Sequence, residues 1–204
     1  IVDDICSWLI AVGQETSGPA GGASRLWERV EPDLRRAWLA PPEATEVRRA
    51  VAATPACMVH SDLAAGNVFT TLRDFTVIDW TDSVERGLPL WDTWALLISC
   101  LPIVDGLPDT SEWLAHGLRV FLGDAPSSAV LFEATRRAVN HLGLPAASVG
   151  PLACGFWHVA VLNELRRLDA GGVADSSARS SLERVALGWS GHPALGLGWD
   201  RWQV

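Results

Sequence analysis

Three polar residues in the segment from Met58 to Asp92 carry the chemistry that this sequence suggests. Asp62, Asn67 and Asp79 stand among apolar neighbours, where a charge or an amide is costly unless it has a partner. A carboxylate and a side-chain carbonyl are hard oxygen ligands of the kind that Mg²⁺ takes, usually together with several waters. A second carboxylate on the preceding loop would take a proton from a hydroxyl held beside such an ion. The three residues therefore indicate metal-assisted chemistry at a hydroxyl group.

The residues between Asn67 and Asp79 predict a β-hairpin that brings this pair together. Val68 to Leu72 and Phe75 to Trp80 are rich in β-branched and aromatic residues, which favour strands, and Arg73-Asp74 predicts the turn. A turn centred on Arg73 places Asn67 directly opposite Asp79, and a centre half a step later displaces Asp79 by one residue. Directly opposed residues have Cβ atoms about 4.5–5.5 Å apart. The amide and the carboxylate are therefore expected to meet at the open end of the hairpin.

The same segment resembles the catalytic core of a known enzyme group. His60-x-Asp62-x-x-x-x-Asn67 is similar to the catalytic loop of protein kinases, and Ile78-Asp79-Trp80 stands where those enzymes carry Asp-Phe-Gly. It is closer to the aminoglycoside phosphotransferase and choline kinase group, which typically has His-Gly-Asp, then Ile-Asp-Trp, then Gly-Asp-Pro. Ser61 replaces the usual Gly, and Leu88 replaces the Asp between Gly and Pro. Neither departure removes a metal ligand or the base.

The resemblance implies an ATP-dependent small-molecule kinase, with ATP and Mg²⁺ as cofactors and a small hydroxyl-bearing acceptor as partner. It assigns Asp62 as the base that takes the hydroxyl proton, and Asn67 and Asp79 as the residues that hold Mg²⁺. His60 is grouped with the catalytic residues, with the structural task of shaping the loop by hydrogen bonding. Asp92 lies in the first turn of the next helix, where a carboxylate favours the helix N-terminus. The resemblance adds a second role for Asp92, which is to brace the catalytic loop from behind.

Three further residues are candidates for contact with the acceptor, which is expected to be an aminoglycoside, a sugar or an amino alcohol. Asp82 and Glu85 follow Asp79 on a predicted loop, where their carboxylates would bind amino groups. Trp94 offers an aromatic face of the kind that binds sugars or quaternary ammonium groups. The alternatives are a solvated loop for the two acids and core packing for Trp94.

Composition narrows the class of protein. The chain has 204 residues, is 49% hydrophobic and carries a net charge of −8, so it can bury a core and is not expected to bind nucleic acid or an anionic membrane surface. It has no uninterrupted apolar run of 18 residues, so no membrane span is predicted. Its four cysteines are widely spaced and flanked by apolar residues, which predicts buried free thiols and a cytoplasmic location.

The basic residues bear on how ATP would be held. All 16 are Arg, and no Gly-rich loop precedes His60. A kinase uses a Lys from its N-terminal lobe to hold the nucleotide phosphates. The chain, which begins at Ile1, is therefore expected to be a C-terminal lobe that is inactive alone and whose partner is a missing N-terminal lobe of the same protein. The alternative is a catalytically inactive kinase-like binding or regulatory domain.

The expected fold is α+β and predominantly helical, the C-terminal lobe of a kinase-like phosphotransferase with a small β-hairpin that carries the catalytic and metal residues. Residues 1–55 form a helical lead-in, 56–92 the catalytic loop and metal hairpin, and 93–204 a helical acceptor-binding region. Apolar periodicity predicts helices over Ile1–Val12, Leu26–Leu39, Glu43–Ala53, Trp91–Leu101, Ser127–Leu142, Pro151–Leu168 and Ser176–Leu187, and one more capped by Asp109. Ala56–Val59 is predicted to be a short strand that leads into the catalytic loop.

Overall fold

The computed structural model describes residues 1–107, 113–171, 179–180 and 182–183. Helices make up most of these residues, and short strands lie in the middle of the chain. The helices are α1 (Val2–Glu15), α2 (Ser24–Ala37), α3 (Pro41–Ala53), α4 (Trp91–Val104), α5 (Trp113–Leu122), α6 (Ser128–Leu142) and α7 (Ala146–Ala170). The strands are β1 (Cys57–Val59), β2 (Val68–Thr70), β3 (Phe75–Val77) and β4 (Val84–Gly87), with 3₁₀ turns at Ala65–Asn67 and Trp80–Asp82. This is the predominantly helical α+β class that the sequence predicts.

Seven predicted helices are confirmed, and prolines account for several of the differences in their bounds. Helix α3 begins at Pro41, two residues before the predicted Glu43, because the first helical position needs no N–H donor. Pro32, Pro102 and Pro151 lie inside α2, α4 and α7, which continue past them. Around Pro102 and Pro151, burial of apolar residues such as Leu101 and Leu152 favours the continued helix over the local propensity of proline.

Two of the predicted features fall largely or wholly outside the described residues. The predicted helix Ser176–Leu187 is described only at residues 179–180 and 182–183, which are helical. Asp109, the predicted cap of the helix that is described from Trp113, lies outside the described ranges.

The β2–β3 hairpin forms where it is predicted, but in a different register and with shorter strands. Val68 pairs with Val77, so Asn67 lies opposite Ile78, whose N–H donates to the Asn67 carbonyl oxygen at 3.0 Å. Both registers predicted from the sequence are therefore wrong. Asp79 lies two positions beyond Val77, the last residue of β3.

Turn chemistry accounts for this register. The hydroxyl of Thr71 accepts the N–H of Asp74 at 3.0 Å, and the N–H of Thr71 donates to the Asp74 carbonyl at 2.8 Å. These bonds close a turn around Leu72 and Arg73, half a step before the predicted centre. A Thr hydroxyl can accept a backbone N–H within a turn and so stabilise a turn that contains no Gly.

A second antiparallel pair, β1 with β4, was not predicted. Cys57 pairs with Gly87, and Val59 pairs with Val84. Gly87 allows the two strands to approach closely, because a Cβ atom there would lie 2.0 Å from Val59 Cγ2. The sequence Val-Glu-Arg-Gly shows no clear alternation, so its strand state depends on its partner β1. The pair positions the start of the loop that follows β1.

Tryptophan rings form much of the hydrophobic core between the helices. Trp27, Trp94 and Trp157 are each at most 1% exposed. Trp94 and Trp157 both pack edge-on against Phe121, with ring centroids 5.6 and 5.2 Å apart. Edge-to-face pairs stabilise a core beyond the area that they bury.

A smaller hydrophobic cluster underlies the hairpin. Ile5 from α1, Leu63 from the loop after β1 and Leu96 from α4 are each at most 2% exposed and pack together. Half-buried side chains of α1 and of both hairpin strands cover this cluster. The N-terminal helix therefore contacts the same loop that carries the predicted catalytic residues.

The four cysteines are free thiols, of which Cys6, Cys57 and Cys154 are buried and Cys100 is half-buried. Burial raises the pKa of Cys6 to about 11 and that of Cys57 to about 12. Helix α7 has the length and the apolar composition of a helix that could cross a membrane. However, 61% of its apolar 18-residue stretch is buried inside the protein. That degree of burial is typical of a core helix.

Candidate active site

The loop after β1 begins with two residues that are anchored by one carboxylate. Asp92 is 7% exposed, and its two carboxylate oxygens accept the backbone N–H of His60 at 2.6 Å and that of Ser61 at 3.0 Å. Burial raises the pKa of Asp92, and these two N–H donors oppose the increase. Asp92 also lies in the first turn of α4, the position predicted for a carboxylate at a helix N-terminus. Its two hydrogen bonds hold the start of the loop against that helix.

Ser61 adopts a backbone conformation that glycine would adopt more easily. Its φ is +71°, in the left-handed region. An L-residue with a Cβ atom is disfavoured there by about 1–2 kcal/mol, whereas glycine is not. The aminoglycoside phosphotransferase and choline kinase group, which this segment resembles, usually has Gly at this position. Ser in place of Gly therefore carries the conformational free-energy cost of a left-handed backbone.

His60 links this loop to the segment that carries Asp79. Its side chain is 1% exposed, and Nε2 lies 2.8 Å from the carbonyl oxygen of Ile78. Because a carbonyl oxygen only accepts, Nε2 carries the proton in this bond. The ring also packs against Trp80, with centroids 4.8 Å apart. These contacts agree with the structural task predicted for His60.

Asp62 and Asn67 are joined through the backbone. Nδ2 of Asn67 donates to the carbonyl oxygen of Asp62 at 2.8 Å. In this orientation the amide nitrogen faces the loop, and the amide oxygen is available to bind a metal ion. The Asp62 side chain is exposed, whereas the neighbouring Leu63 is fully buried and fixes the loop from below.

Asp79 has an unusual backbone conformation at the end of the hairpin. Its φ and ψ are 59° and 62°, which is left-handed and rare for a residue other than glycine. The carboxylate is exposed and accepts a hydrogen bond from the hydroxyl of Thr81 at 2.8 Å. The predicted strand therefore ends at Val77, and the chain turns at Asp79 into the 3₁₀ turn Trp80–Asp82.

The three residues predicted to contact the acceptor lie in different environments. Asp82 closes the 3₁₀ turn and Glu85 lies on β4, and both are exposed. Glu85 is therefore on a strand rather than on the predicted loop. Trp94 is fully buried, packs against Phe121, and donates from Nε1 to the hydroxyl of Thr135 at 2.9 Å. Trp94 is a core residue, which corrects the prediction that its face contacts the acceptor.

Ser99 is a positioning residue that sequence reasoning missed. Its hydroxyl accepts the backbone N–H of Ala65 at 2.8 Å and donates to the carbonyl of Leu96 at 2.7 Å. The bond within α4 is common for a helical Ser, so the sequence around Ser99 carries no signal of its contact with the loop. Together with Asp92, Ser99 holds the predicted catalytic loop against α4.

The two residues predicted to hold Mg²⁺ offer different kinds of oxygen ligand. Asp79 offers a charged carboxylate and Asn67 a neutral amide oxygen, and Mg²⁺ commonly binds to one or two carboxylates together with waters and substrate phosphates. Among the described residues, no group of three His, Cys, Asp or Glu side chains is arranged to hold a metal ion. A transition-metal centre of that kind is therefore not found in this part of the chain.

Comparison with known proteins adds no relative. No protein-family model, no curated protein and no solved structure matches this chain.

Proposed function

We propose that this chain is the catalytic lobe of an ATP-dependent phosphotransferase that acts on a hydroxyl group of a small molecule. In this proposal Asp62 is the base, and Asn67 and Asp79 hold Mg²⁺. His60 and Asp92 position the loop and touch no reacting atom.

A connected set of hydrogen bonds carries the proposal. His60 Nε2 bonds to the Ile78 carbonyl, the Ile78 N–H bonds to the Asn67 carbonyl, and Asn67 Nδ2 bonds to the Asp62 carbonyl. These bonds join the base, one metal ligand and the residue before Asp79. They connect the loop that carries Asp62 to the end of the hairpin that carries Asn67 and leads to Asp79.

The chain's own residues supply proton transfer and orientation. Asp62 is exposed beside this hydrogen-bonded set, where an acceptor hydroxyl can reach it. As the acceptor oxygen bonds to the γ-phosphorus and the bond to ADP breaks, Asp62 takes the hydroxyl proton. General-base catalysis of this kind typically contributes about 10²–10⁴-fold in rate.

Asp79 and Asn67 would hold a Mg²⁺ ion beside the phosphates. Asp79 brings a full negative charge and Asn67 an oriented amide oxygen, and both stand at the same end of the hairpin. Bound Mg²⁺ would neutralise charge that develops on the transferred phosphoryl group. Asp79 has a left-handed backbone conformation, and its carboxylate is exposed, where a metal ion could reach it.

The proposed acceptor is an aminoglycoside, a neutral sugar or an amino alcohol. Asp82 and Glu85 follow Asp79, and their exposed carboxylates would attract an amino group. A salt-sensitive preference for aminated over neutral sugars would support this role for the two acids.

The test is phosphoryl transfer from ATP to a panel of aminoglycosides, neutral sugars, choline-like amines and a protein mixture, measured on the full-length protein. Asp62→Asn removes the base with little change in shape, so we expect folding and nucleotide binding to be retained and the rate to fall by about 10²–10⁴-fold. Asp124→Asn is the matched control, because Asp124 is an exposed carboxylate on the loop between α5 and α6. Wild-type kcat in Asp62→Asn would refute the assignment of the base, and transfer confined to the protein mixture would refute the acceptor class.

A second candidate is a kinase-like binding or regulatory module without catalysis. This chain contains no Lys, so the usual Lys contact to the phosphates would have to come from another part of the protein. A protein without such a contact would match this second candidate. Nucleotide binding without transfer to any acceptor would support this second candidate over the first.

A further inference from the structure

We propose that Trp8 on α1 is a positioning residue for the Asp79 segment and acts through Trp80. This proposal rests on the function proposed above, in which Asp79 is a ligand of Mg²⁺. Trp8 lies 71 positions before Asp79 in the sequence, far outside the segment from Met58 to Asp92 that resembles a catalytic core.

The indole of Trp80 is held by three neighbours. Its ring meets Trp8 edge-on, with centroids 6.1 Å apart and planes at 80°, and it packs against His60 at 4.8 Å. Its Nε1 donates to the carbonyl of Val77 at 3.2 Å. Val77 and His60 belong to the hairpin and to the catalytic loop, whereas Trp8 comes from a separate helix.

Trp8 is itself fixed in place. Its ring packs edge-on against Phe75 of β3, with centroids 5.8 Å apart and planes at 76°. One turn earlier on α1, Ile5 is buried against Leu63 of the catalytic loop and Leu96 of α4. Helix α1 therefore supports the loop through Ile5 and the metal segment through Trp8.

Asp79 needs this support because of its backbone. A left-handed conformation at a residue with a Cβ atom persists only where the surroundings determine it strongly. Trp80 is the next residue, so a fixed indole restricts the dihedral angles on both sides of the Asp79–Trp80 peptide. Without the Trp8 edge, Trp80 would have more freedom, and the Asp79 carboxylate would lose its defined direction.

The experiment compares Trp8→Leu and Trp8→Phe with a matched control, Trp38→Leu. Trp38 is also half-buried and also makes a ring contact, with His158 at a centroid distance of 6.4 Å, but it lies just after α2. Two readouts are measured on the 204-residue chain: amide hydrogen exchange at residues 78–82, and the Kd for Mn²⁺, which binds to the same oxygen ligands as Mg²⁺.

In Trp8→Leu we expect local exchange at residues 78–82 to rise about tenfold while exchange in α7 stays unchanged. The Kd for Mn²⁺ should rise about three- to tenfold. Trp8→Phe keeps an aromatic edge and should show a smaller effect on both readouts. In Trp38→Leu, amide exchange at residues 78–82 and the Kd for Mn²⁺ should both equal the wild-type values.

Several results would overturn the proposal. Wild-type exchange at residues 78–82 in Trp8→Leu would do so, and so would an equal rise throughout the chain, which indicates a general loss of stability. If Trp8→Leu does not fold, Trp8→Phe decides by the same criteria. If the wild-type chain does not bind Mn²⁺, the proposed metal site fails, and the exchange measurement still decides whether Trp8 positions the segment.

Discussion

The carboxylate of Asp92 accepts a 2.6 Å hydrogen bond from the backbone N–H of His60, 32 residues earlier in the chain. The other carboxylate oxygen accepts the N–H of Ser61. One buried side chain at the start of α4 thus fixes the entry to the loop that contains Asp62. Both donors are backbone groups, so side-chain substitutions at His60 or Ser61 leave them in place.

Removal of this carboxylate should destabilise the protein. Asp92→Ala leaves two N–H groups without their acceptor, and each loss of this kind costs about 1–3 kcal/mol. Release of the buried charge recovers part of that cost, so we expect a net loss of about 2–4 kcal/mol in the free energy of unfolding, measured with urea. Asp92→Asn retains one acceptor oxygen and should lose less. Unfolding curves that match the wild type for both variants would show that the bracing bonds contribute nothing.

Replacement of Ser61 by glycine should stabilise the protein. Ser61 has a φ of +71°, and glycine relieves a cost of about 1–2 kcal/mol at such a position, less the entropy that glycine adds to the unfolded chain. We expect Ser61→Gly to raise the free energy of unfolding by about 0.5–1 kcal/mol. The control is Ser83→Gly, because Ser83 has a φ of −63° and gains no such relief. A loss of stability in Ser61→Gly equal to that in Ser83→Gly would contradict the prediction.

Asp79 should contribute more to metal affinity than Asn67. Asp79 carries a full charge, and Asn67 offers a neutral carbonyl oxygen. We expect Asp79→Ala to weaken Mg²⁺ or Mn²⁺ binding by about tenfold or more, equal to about 1.4 kcal/mol, and Asn67→Ala to weaken it less. Titration of both variants and of Asp124→Ala as the control measures this. Unchanged affinity in Asp79→Ala would refute its assignment as the principal ligand.

His158 should make the protein less stable in acid. Its side chain is fully buried, and burial lowers its pKa from 6.5 to about 4. The unfolded state therefore binds a proton more readily than the folded state. Stability from this residue is complete above pH 6.5 and is lost as the pH falls toward 4.

The pH effect of His158 has an upper limit of about 3 kcal/mol, from the shift of its pKa. His158→Gln cannot titrate, so the free energy of unfolding should change less between about pH 8 and about pH 4 than it does in the wild type. Comparison of the two slopes removes the contributions of other groups, including the raised pKa of Asp92. Parallel pH profiles for wild type and variant would contradict the prediction.

Helix positions and the place of the hairpin follow from the sequence. Apolar residues at helical spacing decide which face of α1 or α6 is buried, and this is a local property of the chain. The spacing of Asn67 and Asp79 around β-favouring residues likewise brings both to one end of a hairpin, whichever register forms. Expectations that needed only neighbouring residues were therefore met to within a few positions.

Contacts between distant segments were decided by the tertiary structure. β4 is a strand because Gly87 lets it approach Val59, and Trp94 is a core residue because α4 is buried among other helices. The left-handed backbone of Asp79 and the contact of Trp8 with Trp80 likewise depend on elements far apart in the chain. Such features result from competition among packing, strain and hydrogen bonding across the whole fold, and a local pattern of residue types carries no record of that competition.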